Sequence, residues 1–249
     1  MIIDQKKSNN FYAKLSKEKA GSTESAGRRA EDEGIEPRIF EDILSKLEIT
    51  EGQSILDIGC GCGPITNMLL DFSKENKSSL HLIDVPEVIE NIDTKGFDCK
   101  LTSGVFPEVL GTQTEEKYDV IIVYSVLHYV EDPALFIESC VRLLKSQGRL
   151  LIGDIPNVNK KGRFLASEFG HIFDSNYKKV DPDSLPRYKD HNDFVEKNKD
   201  SLNMKLSDSF LISQIEKYRQ EGFNAFIVQQ NKALPFSFTR EDLIIEALS

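Results

Sequence analysis

The sequence is short of long apolar runs, of cysteine and of positive charge. None of its hydrophobic runs approaches the ~20 residues that a membrane span needs. Its opening residues, MIIDQKKSNN, lack the apolar stretch of a secretory signal. A cytoplasmic protein without a membrane partner is therefore expected. The four cysteines, Cys60, Cys62, Cys99 and Cys140, show no zinc-site spacing, so no metal is expected and reduced structural thiols fit best. Lysine and arginine number 31 against 41 aspartates and glutamates, a net charge of −10. That balance argues against a general nucleic-acid binder, which shows a basic face.

What is present, in 249 residues, is enough for one α/β domain with elaborations. The chain is organised around residues 54–66, SILDIGCGCGPIT. Ile55, Leu56 and Ile58 read as a buried parallel strand. Gly59, Gly61 and Gly63 then form a tight turn, where missing side chains let backbone approach a ligand. Pro64 suits a first helical position. Exposed N–H groups at that helix start favour an anionic ligand group.

Spacing separates the cofactors that use such turns. The dinucleotide fingerprint G-x-G-x-x-G needs a glycine where Pro64 stands. The pattern present, D-x-G-x-G-x-G from Asp57, resembles the first motif of class I S-adenosylmethionine (SAM)-dependent methyltransferases. The resemblance implies that Asp57 serves the methionine ammonium of SAM, with Gly59, Cys60, Gly61 and Gly63 around the methionine end. It implies S-adenosylhomocysteine (SAH) as the product. Asp84 follows about twenty residues later at the end of LHLID, where a carboxylate can accept both ribose hydroxyls. By the same resemblance Val85 packs on the adenine. Members commonly carry an acid after the glycine of the third strand, but Val105 stands after Gly104 here. Backbone atoms of Gly104 and Val105, or Ser103, are then the expected adenine contacts.

Strands are expected at 55–58, 80–84, 98–102, 118–124 and 149–154, alternating with helices, which indicates a parallel sheet. A helix from Pro37 carries Ile39, Phe40, Ile43, Leu44 and Leu47 on one face. Another, opened by Asp132 and Pro133, has Phe136, Ile137, Cys140, Val141 and Leu144 as its stripe and leaves at Gly148. Residues 224–229 and 243–246 read as a final strand pair. The fold expected is a Rossmann-like α/β methyltransferase fold: a mainly parallel seven-stranded sheet, its last strand antiparallel, with helices on both faces. Residues 37–155 and 210–249 make the SAM-binding core. Residues 1–36 are a polar segment, either tail or lid, and 156–209 an insertion and candidate substrate lid. Asp57, Asp84, Gly104, Ser125 and Asp154 all fall at strand carboxyl ends, where ligands bind in such sheets.

The acceptor is less constrained. SVLHYV follows the fourth strand in place of the N/D-P-P-Y/F pattern of many base and amide methyltransferases. His128 within it is the candidate base or orienting group, and Ser125 a cofactor contact, with Tyr129 and Asp154 placed near the acceptor. Between Lys160 and Lys189, seven Lys/Arg face four Asp/Glu, a local +3. Lys160, Lys161 and Arg163 are therefore candidate ligands of an anionic small-molecule acceptor, as are Arg28 and Arg29. The segments GDIPNVNKKGRF and LPFSFTREDLII resemble bacterial methyltransferases of surface-polysaccharide or capsule biosynthesis, implying O-methylation of a phosphoramidate or nucleotide-linked sugar. Methylation of carbon or nitrogen in another small metabolite, or a non-catalytic SAM-binding partner subunit, stand as alternatives. Oligomeric state has no signal.

Overall fold

The computed structural model describes residues 5–26, 28, 32–111 and 115–248. Strands β1 (Ser54–Ile58), β2 (Ser79–Asp84), β3 (Lys100–Ser103), β4 (Tyr118–Tyr124), β5 (Leu144–Pro156), β6 (Asn224–Val228) and β7 (Arg240–Glu246) form one sheet in the order β3-β2-β1-β4-β5-β7-β6. The strands from β1 to β5 pair parallel; β7 lies antiparallel between β5 and β6. The mainly parallel seven-stranded sheet with an antiparallel last strand is the one expected.

Both sheet faces are buried, which is why β1 and β4 are almost wholly apolar. On one face Leu56, Ile58, Ile121, Val123, Leu150 and Ile152 pack with α5 (Pro133–Val141) and α9 (Asp208–Gln220). On the other, Ile55, Val120, Ile122 and Leu151 meet Ile39, Ile43 and Leu47 of α2 (Glu36–Leu47) and Leu69 and Leu70 of α3 (Pro64–Glu75). A four-residue α4 (Pro86–Ile89) follows β2. The core helices thus obey the period-3.6 pattern that located them.

Element boundaries differ from the sequence reading at α5 and β5, at β7 and at β3. Helix α5 ends at Val141, and Leu144 begins β5 instead of continuing the helical stripe. Tyr118 draws Leu144 into the ladder through their parallel pairing. Strand β7 starts at Arg240, three residues before the expected Leu243. Its charged first residues read as loop but are compensated within the fold: Arg240 on Asp154, Glu241 near Lys160 and Asp242 on Lys46. Strand β3 spans 100–103 rather than 98–102.

The segment 156–209 is helical, with α6 (Val158–Leu165), α7 (Glu168–Lys178) and α8 (His191–Asn198). Near the amino end, α1 (Gln5–Lys19) is one helix of 15 residues. Its sequence has almost no apolar face, so its position is set by specific tertiary contacts rather than by a hydrophobic stripe.

Candidate functional site

The glycine turn after β1 is shaped by sterics. Gly59 and Gly61 have φ of +72° and +67°, a region that side chains disfavour. A Cβ on Gly59 would also lie 2.5 Å from the Val126 side chain. The Gly59 and Cys60 N–H groups donate to the Ile83 carbonyl, joining the turn to the end of β2. Thr66 closes it from α3 by donating to the Cys60 carbonyl at 2.7 Å. No side chain caps α3 at Gly63, so its first N–H groups remain open toward the cavity beside it.

That cavity, of about 180 Å³, lies over the carboxyl ends of β1, β2 and β4. Of the residues singled out from sequence, it brings together Asp57, Gly59, Cys60, Gly61, Gly63, Asp84, Val85, Gly104, Val105, Ser125 and Tyr129. Asp84 accepts from the Gly61 N–H through Oδ2 at 2.8 Å and from Val85 N–H through Oδ1 at 2.7 Å. Each oxygen keeps a free lone pair. Burial, reinforced by Asp84, raises the Asp57 carboxyl to about 8. Burial raises Asp84 to about 6, against the pull of its two N–H donors. Two carboxyls in one apolar wall await positive charge.

A second cavity of about 160 Å³ adjoins the first. Tyr12, Arg28, Tyr124, Ser125 and Tyr129 line both and so form the partition. His128, Asp154, Gln230 and Arg240 belong to the second cavity alone. Arg28 forms no ion pair among the described residues; Arg29 lies outside them. The His128 Nδ1 is buried without a hydrogen-bond partner among the described residues, and its ring leans on Tyr129 at 3.9 Å between centroids. Burial, with Arg240 adding to it, lowers His128 to about 4. The imidazole is therefore neutral at pH 7 and is a weak base.

Ser125, directly after β4, and Asp154, two residues short of the end of β5, have φ of +63° and +60°. Non-glycine residues held there mark sites where the surrounding structure imposes the conformation. The two side chains meet, Ser125 Oγ donating to Asp154 Oδ2 at 2.8 Å. Arg240 donates to the same carboxylate at 3.2 Å and to the Asp154 carbonyl at 2.9 Å.

Lys160, Lys161 and Arg163 line neither cavity among the described lining residues. Lys160 donates to the Arg240 carbonyl, and Arg163 pairs with Asp208. Helix α1 instead supplies Gln5, Ser8, Asn9 and Tyr12 to the first cavity. Tyr12 and Tyr129 share a hydroxyl contact of 2.6 Å, Ser16 donates to the Glu87 carbonyl, and Gly21 N–H to the Cys62 carbonyl. Sequence reasoning did not single out Tyr124, Gln230 or Arg240. Gln230 and Arg240 flank the turn-like LPFSFT segment, which offered no chemical pattern to single them out. Tyr124 read as strand core. Its ring is admitted because Gly153 has no side chain: a Cβ there would fall 2.4 Å from it.

Comparison with known proteins agrees with this architecture. A family model described as "Methyltransferase domain" matches residues 49–218. The ubiquinone biosynthesis O-methyltransferase of Xylella fastidiosa (strain M23) is 27% identical over 117 residues, 46% of either chain. The mitochondrial ubiquinone biosynthesis O-methyltransferase of Bos taurus is 32% identical over 113 residues, 42% of this chain and 29% of that one. The chain thus spans less than half the length of these curated relatives. Two crystal structures share the fold across nearly the whole chain. The plantazolicin methyltransferase BamL, bound to a triazolic desmethylPZN analog and SAH, has a TM-score of 0.57 at 15% identity, covering 99% of this chain and 92% of that one. The N-methyltransferase NodS from Bradyrhizobium japonicum WM9, bound to SAH, has a TM-score of 0.57 at 18% identity, covering 96% and 100%. With its sheet order, its glycine turn and a family match over most of its length, the chain belongs to the methyltransferase-domain family, as a class I, SAM-dependent member.

Proposed function

We propose that the first cavity binds SAM and that a small acceptor in the second cavity receives its methyl group on oxygen. The observation that carries this reading is the pair of adjoining cavities with a common wall of Tyr12, Arg28, Tyr124, Ser125 and Tyr129. Two cavities that meet at common lining residues can hold donor and nucleophile in line where those side chains leave a passage between them, which supplies much of the rate. SAM, when bound, contributes an electrophilic methyl on a sulfonium leaving group.

The chain's residues do the rest. Asp57 faces the methionine ammonium, and Asp84 uses its free lone pairs for the ribose hydroxyls. Val85, Gly104 and Val105 hold the adenine, the last two through backbone. Cys60, Gly61 and Gly63 let the methionine end approach α3. Across the wall, neutral His128 accepts a hydrogen bond from the acceptor hydroxyl and orients its lone pair toward the methyl, with Ser125, Tyr129 and Asp154 completing the polar contacts. As the O–CH3 bond forms and the S–CH3 bond breaks, the hydroxyl proton leaves to solvent; an acceptor oxygen that is already ionised has none to lose. Arg28, without an ion partner among the described residues, supports an anionic acceptor; Lys160, Lys161 and Arg163 would serve one only if α6 moved toward the cavity. The phosphoramidate or nucleotide-linked sugar reading, with its role in surface polysaccharide, rests on two sequence segments alone. Domain roles follow the same proposal: 37–155 with 210–249 as core, 156–209 and the N-terminal segment as covers.

Incubation with methyl-tritiated SAM and a panel of phosphoramidate, UDP-glucose, dihydroxybenzoate and a primary amine tests the assignment. Label transfer to an oxygen acceptor is expected. Binding of SAM without transfer to any acceptor would favour a partner subunit; transfer only to the amine would make it an N-methyltransferase.

A further inference from the structure

The left-handed Asp154 lies in a β-bulge. Ile152 pairs with Leu243 and Ile155 with Glu241, so Gly153 and Asp154 together stand opposite the single residue Asp242. A bulge interrupts the ladder and re-aims the side chain it carries. It also leaves a backbone N–H in need of an acceptor. Here that acceptor is a side chain: Asp154 N–H donates to Asp242 Oδ1 at 2.8 Å.

Asp242 has no exposed surface and lines neither cavity. Its Oδ1 also receives Gln230 Nε2 at 3.1 Å, which reaches on to Asp154 Oδ1 at 3.3 Å. Its Oδ2 receives Lys46 Nζ at 2.6 Å, and that ammonium is shared with Asp42 at 2.5 Å. A buried carboxylate without such a partner would be strongly disfavoured. Lys46 and Asp42 belong to α2 and, like Asp242, line neither cavity.

We infer that Asp242 is a positioning residue of the acceptor cavity, fixing the bulge so that Asp154 and Gln230 face the acceptor, with Lys46 of α2 holding Asp242 in place. The inference rests on the proposed function for what the cavity binds, but not for the geometry itself. Ser125, Asp154, Gln230 and Arg240 are the groups that touch the acceptor; Asp242 acts only through them. Its importance is invisible at the cavity wall.

The test compares two paired substitutions. Asp242→Asn with Lys46→Gln keeps an acceptor oxygen for the Asp154 N–H while removing both charges, and Asp42→Asn is added to both proteins so that no buried carboxylate loses its partner. Asp242→Leu with Lys46→Met removes the acceptor and leaves similar volume. With the best acceptor of the panel above, the Asn/Gln protein should retain turnover within about threefold, whereas the Leu/Met protein should lose tenfold or more in acceptor kcat/KM. Both should bind SAM within twofold of the parent. Equal acceptor kinetics in the two folded variants, or a crystal structure of the Leu/Met protein with Asp154 still left-handed and bonded to Ser125, would overturn the inference. Should the Leu/Met protein fail to fold, amide exchange in the unaltered protein decides: an Asp154 N–H as unprotected as a surface loop amide overturns it, and strong protection sustains it. If no panel member is methylated, the proposed function fails, while the crystallographic and exchange arms still judge the role of Asp242.

Discussion

Asp57 and Asp84 share a buried wall, so their charge depends on what occupies the cavity. In the free protein Asp57, raised to about 8, is largely protonated at neutral pH. A cationic ligand favours its ionised form. SAM affinity should therefore rise from pH 6 to about 8, with proton release on binding, and fall above that as the ligand amine (~7.7–8.0) deprotonates. Calorimetry in buffers of different ionisation enthalpy measures both. Asp57→Ala and Asp84→Ala should each weaken SAM binding by ~1.5–3 kcal/mol, the value of a charge-assisted hydrogen bond. Undiminished affinity in both folded variants would sink the assignment. His128 titrates near 4, so it stays neutral and acceptor turnover should show no histidine limb between pH 5.5 and 8. If it only orients the acceptor, His128→Ala should act mainly on acceptor KM. A turnover loss of ~10²–10⁴-fold would identify a base instead.

At the scale of elements, α1 is tied to the site by contacts that include Tyr12 to Tyr129, Ser16 to Glu87, and Gln5 to the Glu131 N–H. A typical hydrogen bond contributes ~0.5–1.5 kcal/mol. Tyr12→Phe should therefore speed SAH release by a few-fold to about tenfold in stopped-flow measurements, with little change in melting temperature. A global loss of stability in place of faster release would make α1 structural rather than a cover. This helix shows where the sequence stops being readable. The glycine turn, β1, β2 and β4 were legible because burial on both faces forces apolar runs, and Asp57 and Asp84 because strand ends are fixed points in such a sheet. Helix α1 was not, since polar contacts to distant loops leave no periodic trace. Nor was the start of β7: Asp242 is buried and Arg240 and Glu241 half-buried against partners from β5, α6 and α2, which no local window contains. Lys160 and Arg163 show what a charge count cannot see, the partners that the fold supplies: Arg240's carbonyl and Asp208.

For the whole molecule, the raised carboxyls carry a stability consequence. Asp57 has a folded-state pKa of about 8 against ~3.9 when unfolded. Between those values the folded state binds more protons, so stability declines as pH rises. The melting temperature of the free protein should fall from pH 6 to pH 8.5, and saturating SAH should stabilise it by ~2.7 kcal/mol at a hundredfold excess over Kd. A melting temperature that climbs over that range without ligand would contradict the burial of an uncharged Asp57.

Strand β7, lying between β5 and β6, gives the chain a direction of assembly. During synthesis β1 to β5 can zip up while β5 still presents an open edge, and β6 emerges with no strand beside it. Only when residues 240–246 leave the ribosome can the sheet close. Arg240 and Asp242 arrive in that same stretch, so the cofactor half of the protein can exist before its acceptor half. A nascent chain stalled short of Arg240 should thus already trap SAH while offering chaperones an exposed β5 edge.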